Sequence, residues 1–202
     1  MFEEIKLERI TRETEIRLTL NLNGNGSADI DTGIGFFDHM LELFAYHGFM
    51  DLKIDVEGDL YVDEHHTVED VGIVLAQALA RAIGEKRGIK RYGDISLPMD
   101  EVLVQVVLDL GGRSYYQDDL EFSREMVGDF PVELLVEFFR ALTNNSGMNL
   151  HIRMLRSGNA HHLIEACFKA VGRALDQALT IEERLGNNPL STKGSLKEGE
   201  NV

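Results

Sequence analysis

MDLKIDVEGDLYVDEHHTVED (residues 50–70) and MNLHIRMLRSGNAHHLIEA (residues 148–166) say the same thing twice. Each opens on alternating apolar residues, Leu52 and Ile54 in one and Leu150 and Ile152 in the other, the period of a half-buried strand. Each then enters a helical pattern through His-His-x-x-Glu: His65, His66, Glu69, and His161, His162, Glu165. The correspondence extends outward. LNLNG (20–24) matches LDLGG (108–112), at the ends of strands predicted over 15–23 and 100–110. Between strand and motif lies a shorter helix in each half, 36–47 closing at Gly48, and 131–145 with Pro131 suited to its first turn. SYYQDDLEF (114–122) reads as a further strand. The long helices are predicted to run from His65 to Arg87, closing at Gly88, and from His161 to Leu179. Two copies are too few for a solenoid. They predict an α+β, internally duplicated pseudo-twofold domain, each half a small mixed sheet packed with two helices. The halves fall at 1–95 and 96–190, with a polar tail at 191–202. In the strand over 100–110, Val102, Val104, Val106 and Leu108 share one face, while Leu103 and Val107 lie on the other. Apolar residues on both faces predict burial against another subunit.

Charge and composition narrow the function. Thirty-five acids against 20 bases give a net charge of −15, which speaks against a nucleic-acid surface. An anionic small molecule would need a local basic pocket. No apolar run approaches a bilayer span, so no membrane is expected. MFEEIKLERI has no apolar segment of a secretory signal. The single cysteine, Cys167, sits in an apolar helical pattern and is expected to be a buried small side chain. A reducing, cytoplasmic setting follows. GNG at 24–26 is a turn, without the context of a dinucleotide fingerprint.

Helical geometry gives the motif its chemistry. His65 and Glu69 are four apart and share a face, whereas His65 and His66 diverge by about 100°. Adjacent histidines therefore face different ions, and the simplest reading is two metal sites straddling each motif. Histidine and carboxylate donors without thiolates suit manganese, iron or zinc. A lone surface His-His pair is more often solvated than metallated; the second copy at a corresponding helix start favours metal. An offset of 98 places His39 opposite Glu137, both able to bind such metals, although the residues alone favour an ordinary exposed helical acid at Glu137.

GIGFFDHML (33–41), VDEHHTVEDVGIVLAQAL (62–79), SGMNLHIRMLRSGNAHHLIEACFKA (146–170) and STKG (191–194) resemble the imidazoleglycerol-phosphate dehydratases of histidine biosynthesis. The resemblance runs from about residue 5 to residue 196 and is to the monofunctional form. It implies a fold of the ribosomal-protein-S5-domain-2-like kind. It implies dehydration of D-erythro-imidazoleglycerol phosphate to imidazole acetol phosphate with two Mn²⁺ per active site and no organic cofactor. It also implies a 24-mer with active sites at subunit contacts. One ion would be held by His39, His66, His161 and Glu165. The other would be held by His65, Glu69, His162 and Glu137, a position where plant relatives carry histidine. The proton to be removed is not next to a carbonyl, so the imidazole ring must act as electron sink. Metal coordination would favour the imidazolate, and hydroxyl loss would give a diazafulvene-like intermediate. Glu13 matches a substrate position suited to proton transfer, with Glu101 its internal counterpart and lesser candidate. His47 matches a position that assists hydroxyl departure. Arg91, Arg113, Lys169, Ser191, Thr192 and Lys193 match substrate contacts, chiefly at the phosphate, and His39 and His161 also border the substrate. A binuclear metal hydrolase and a ferritin-like metal bundle are the rival classes; the latter would lack strands and place Glu before His.

Overall fold

The computed structural model describes residues 2–194 and residue 196. The first sheet holds β1 (Ile5–Ile10), β2 (Thr14–Asn21), β3 (Ala28–Asp31) and β4 (Asp51–Gly58), in the order β1-β2-β4-β3. The second holds β5 (Tyr92–Met99), β6 (Val102–Asp109), β7 (Tyr115–Asp118) and β10 (Asn149–Arg156), in the order β5-β6-β10-β7. In both, the first three strands of that order are antiparallel neighbours and the last pair is parallel. A helix makes each parallel crossover: α1 (Gly35–His47) in the first half, α3 (Leu134–Ser146) in the second. A longer helix follows each sheet, α2 (His65–Ile83) and α4 (Ala160–Leu179). The architecture is α+β with two halves of one topology, as the repeated segments predict. A two-strand ribbon, β8 (Met126–Val127) with β9 (Phe130–Pro131), is inserted before α3.

Strand periodicity sets which face is buried. Thr14, Ile16, Leu18 and Leu20 of β2 point into the core, as do Val102, Val104, Val106 and Leu108 of β6. On the outer face of β6, Leu103 is half-buried and Val107 is exposed. The long helices lie on the sheets of their own halves, α2 on β2 and α4 on β5 and β6. The short helices cross over: α1 packs on α4, and α3 on α2. Glycines permit these approaches. A Cβ on Gly172 would lie 2.5 Å from the Phe44 carbonyl oxygen, and one on Gly72 would lie 2.9 Å from that of Phe138. The crossing matters for function, because it brings α1 of the first half against the His-His motif of the second.

Two helix boundaries differ from the sequence reading by three residues or more. α2 ends at Ile83 with Gly84 (φ 57°) behind it, not at Gly88. The following residues form a turned segment, with Lys86 and Gly88 also at positive φ, and Ile89 bridges Ile181. Pro131 belongs to β9, opposite Met126, and α3 starts three residues later. β1, β3 and β5 carry weak patterns: β3 has four residues, and β5 contains Gly93 and Pro98. Cys167 is fully buried, and burial pushes its thiol up, out of range for a nucleophile. Among the described residues no helix is long and apolar enough to cross a membrane.

The ends of α1 and α3 are 99 residues apart, but their faces register at 98. Phe37, Met40, Leu41 and Phe44 are buried, and so are Leu135, Phe138, Phe139 and Leu142. His39 and Glu137 therefore hold equivalent places on the two helix surfaces.

Candidate metal centre

α4 begins at Asn159, whose side chain accepts the backbone N–H of His161 at 2.9 Å, an N-cap that fixes the helix start at the motif. His161, Glu165 and Lys169 then follow at intervals of four and form a stripe. His161 Nε2 lies 3.3 Å from Glu165 Oε2, and Lys169 Nζ lies 2.5 Å from Glu165 Oε1. Phe36 presents its ring to His161, with centroids 5.2 Å apart. His39 comes in from α1, and donor atoms of His39, His161 and Glu165 lie within 4.8 Å of one another. Two imidazoles and a carboxylate are the donor set of a divalent transition metal. The Glu165 side chain is only 9% exposed. Burial pushes its carboxyl up, but Lys169, His161 and His39 outweigh this, and the net shift is downward. It is thus held as the anion that a cation requires.

Further along the same helix pair, His47 ends α1 near Lys169 and Arg173. Burial first, then those two cations, lower its pKa. His39, His47, His161, Glu165 and Lys169 thus lie along the contact between α1 and α4.

In the first half, His65 Nε2 lies 3.8 Å from Glu69 Oε2 on the exposed first turns of α2. His66 turns the other way. Its Nδ1 is 3.0 Å from Asp59 Oδ2, and its Nε2 is 3.8 Å from Glu13 Oε1. The Asp59 hydrogen bond is the main reason its pKa is raised. His162 is placed similarly: its Nδ1 is 3.1 Å from Glu101 Oε2. The Asn159 backbone N–H, the N–H of Glu101 itself and His162 bring the Glu101 carboxyl down to about 2. Glu13 and Glu101 occupy matching turns, β1–β2 and β5–β6, so each sits beside the second histidine of its half.

Not every candidate gathers here. Glu137 pairs with Arg140 at 2.6 Å, and no group of three close donors among the described residues includes it. No hydrogen bond, ion pair or ring contact among the described residues joins His65, His66 or Glu69 to His161, His162 or Glu165. The cationic candidates other than Lys169 lie elsewhere. Arg91 grips Asp109 with two bonds of 2.6 and 2.8 Å and donates to the Leu190 carbonyl at 2.7 Å. The Arg113 carbonyl accepts from the Asn149 side chain. Arg91 precedes β5, whereas Lys169 touches Met99 at its far end. Seven strand intervals separate those ends by about 23 Å. Ser191, Thr192 and Lys193 follow Leu190 in the tail, and Lys193 donates its backbone N–H to Ser191 Oγ at 3.2 Å. Residues 195 and 197–202 lie outside the described residues.

Two acids escaped the sequence reading. Asp59 holds His66. Asp70, buried next to Glu69, accepts from Thr14 Oγ1 at 2.5 Å and from Arg9, tying α2 to the turn that carries Glu13. Asp59 was visible only as an acid seven residues before His66. Asp70 was visible only as the acid that follows Glu69.

Paired histidine–carboxylate donors on the opening turns of helices, in an α+β chain, define a metal-binding enzyme. Comparison with known proteins specifies it. The family model described as imidazoleglycerol-phosphate dehydratase matches residues 32–175. A protein of that name from Clostridium botulinum is 54% identical over 191 residues, covering 95% of this chain and 97% of that one. One from Desulfitobacterium hafniense is 55% identical over 193 residues, covering 96% and 98%. The crystal structure of the Staphylococcus aureus enzyme superposes with a TM-score of 0.82 at 40% identity, over 89% of this chain and 100% of that one. That of the Pyrococcus furiosus enzyme in complex with (S)-C348 gives 0.79 at 35% identity, over 94% and 99%. The chain belongs to the imidazoleglycerol-phosphate dehydratase family, and it is a hydro-lyase.

Proposed function

We propose that this protein dehydrates D-erythro-imidazoleglycerol phosphate to imidazole acetol phosphate in the cytoplasm, using two Mn²⁺ per active site. The observation that carries the reading is the His39–His161–Glu165 donor group in a chain matched along most of its length by the dehydratase family. Nothing in the comparisons favours a hydrolase.

His39, His161 and Glu165 would hold one ion together with a His66, and His65, Glu69 and Glu137 the other with a His162. When bound, the ions supply positive charge that favours loss of the substrate's ring proton. The chain's own residues do the rest. Glu13, exposed on its turn, moves the proton on the substrate carbon. His47, at the end of the same helix as His39, assists departure of the hydroxyl. Arg91, Arg113, Ser191, Thr192 and Lys193 take the phosphate, with Lys169 bordering the substrate.

Placement within one chain supports an active site shared between copies. His66 lacks contact with the His161 group, and Arg91 lies about 23 Å along β5 from the Lys169 end. Ligands and phosphate cations that must meet at one small substrate would therefore come from different subunits, and the 24-mer is what the family resemblance implies for their assembly. The exposed Val107 on β6, and Tyr61 beside the first motif, are apolar surface for such contacts.

The deciding experiment is turnover after chelation, following the ketone product with and without added Mn²⁺. Manganese-restored ketone formation is expected. Phosphate release without ketone would instead establish a hydrolase. A second prediction concerns the tail. Removing residues 190–202 deletes Leu190, Ser191, Thr192 and Lys193. Charge-assisted bonds contribute about 1.5–3 kcal/mol each, so KM should rise about 100-fold or more. An unchanged KM would remove the tail from the substrate site.

A further inference from the structure

The two halves have the same topology, yet they hold their second histidines by different means. In the second half, Glu101 on the β5–β6 turn reaches His162 Nδ1 at 3.1 Å and takes the Asn159 backbone N–H at 2.7 Å. In the first half, the matching Glu13 makes no side-chain hydrogen bond among the described residues, and its nearest approach to His66 is 3.8 Å. The Nδ1 of His66 is instead met by Asp59, at 3.0 and 3.2 Å.

Strand register explains the exchange. Asp59 follows β4, and its N–H donates to the Glu13 carbonyl at 3.0 Å. In the second sheet a bulge between Met154 and Arg156 moves the offset from 98 to 99: Glu57 pairs with Glu15, and Arg156 with Leu103. Counting on, Gly158 stands opposite Glu101 as Asp59 stands opposite Glu13. A Cβ on Gly158 would lie 2.5 Å from both Cγ and Oε1 of Glu101. The volume that an aspartate occupies in one half is filled by the glutamate in the other. One carboxylate fits in each half, and the sequence supplies it from a different strand end.

A carboxylate has no proton to give, so the Nδ1 that faces it carries the hydrogen and Nε2 keeps its lone pair outward. Metal-binding histidines are oriented in this way by carboxylates behind them. We infer that Asp59 and Glu101 are paired positioning residues, which fix His66 and His162 with Nε2 presented to metal, and that Asp59 thereby leaves Glu13 free for substrate while Glu101 is committed. The inference rests on the metal reading for its purpose, though not for the position of the proton.

Magic-angle-spinning ¹⁵N spectra of histidine-labelled, metal-free protein above the histidine pKa values read the tautomers directly. The expected result is Nδ1–H on both His66 and His162. Glu101→Ala should mix the His162 tautomers and weaken Mn²⁺ binding about 10- to 100-fold. It should leave both limbs of the pH profile of kcat in place. Adding Gly158→Asp to Glu101→Ala should restore affinity, because it copies the first half into the second. A proton on Nε2 of His162 in the unaltered protein would overturn the inference. So would Glu101→Ala protein with full metal affinity and one limb missing, which would make Glu101 a proton-transfer group. If the unaltered protein bound no Mn²⁺, the metal reading would fall, and the tautomer spectra would still decide the role of the two acids.

Discussion

Glu165→Gln should lower kcat on imidazoleglycerol phosphate about 1000-fold at saturating Mn²⁺, a barrier increase of about 4 kcal/mol. The substitution keeps volume and removes charge. Glu165 stands between His161 on one oxygen and Lys169 on the other, with His39 beside it. It is the one anion in that donor group, so a dication there would face two neutral imidazoles and an amide. Binding should weaken together with turnover, and metal per chain after dialysis should fall. Lys169 would also lose its charged partner and its fixed direction along α4. Circular dichroism should remain that of the unaltered protein, because the N-cap at Asn159 and the apolar face of α4 are untouched and glutamine keeps the volume of the buried Glu165. Full activity with full metal content would show that the His39–His161–Glu165 group is not the metal centre.

The fold was legible where burial imposed a period. β2, β4, β6, β10 and all four helices show apolar positions at spacings of two or of three and four, since one face of each meets the core. β1 and β3 were not legible, because their burial is partial: β1 alternates half-buried with exposed residues, and β3 has four residues with one half-buried. The end of α2 was misplaced because two glycines, Gly84 and Gly88, both take positive φ, and sequence does not say which one stops the helix. Pro131 fits a helix start and a strand edge equally well. Only the ribbon with Met126 decides between them.

The candidate site divides along the same line. The i, i+4 pairs His65–Glu69 and His161–Glu165 follow from helix geometry within one element, so spacing places them. Asp59 and Asp70 act across elements, on His66 and on the Glu13 turn, and nothing in spacing marks them. Glu137 shows the limit from the other side. Its register against His39 is right by buried face, yet equivalence between helices does not bring a third donor to His65 and Glu69 within one chain. The crossing of α1 onto α4 and α3 onto α2 ties these levels together. A stripe on one helix becomes a donor group only because a helix from the other half is laid across it.

That crossing is held by aromatic packing, and Phe168→Ala should therefore cost about 3–5 kcal/mol of stability. Phe168 is fully buried on α4, one residue before Lys169. Its ring centroid lies 5.1 Å from Phe138 and 5.0 Å from Phe139, both on α3, and 6.4 Å from Phe37 on α1. One ring thus joins three helices drawn from both halves. Alanine would open a void lined by phenylalanines, whose rigid rings relax poorly into space. For a chain of this size each kcal/mol moves the midpoint by about 2–4 °C, so the melting temperature should fall by about 6–20 °C. The measurement belongs on metal-free protein at fixed chain concentration, because metal binding and self-association each add stability by mass action. Phe37 is two residues before His39 on α1, so loosening the cluster should also weaken Mn²⁺ binding below the melting transition. A fall of under about 2 °C with unchanged Mn²⁺ affinity would show that the cluster fills space without holding α1 on α4.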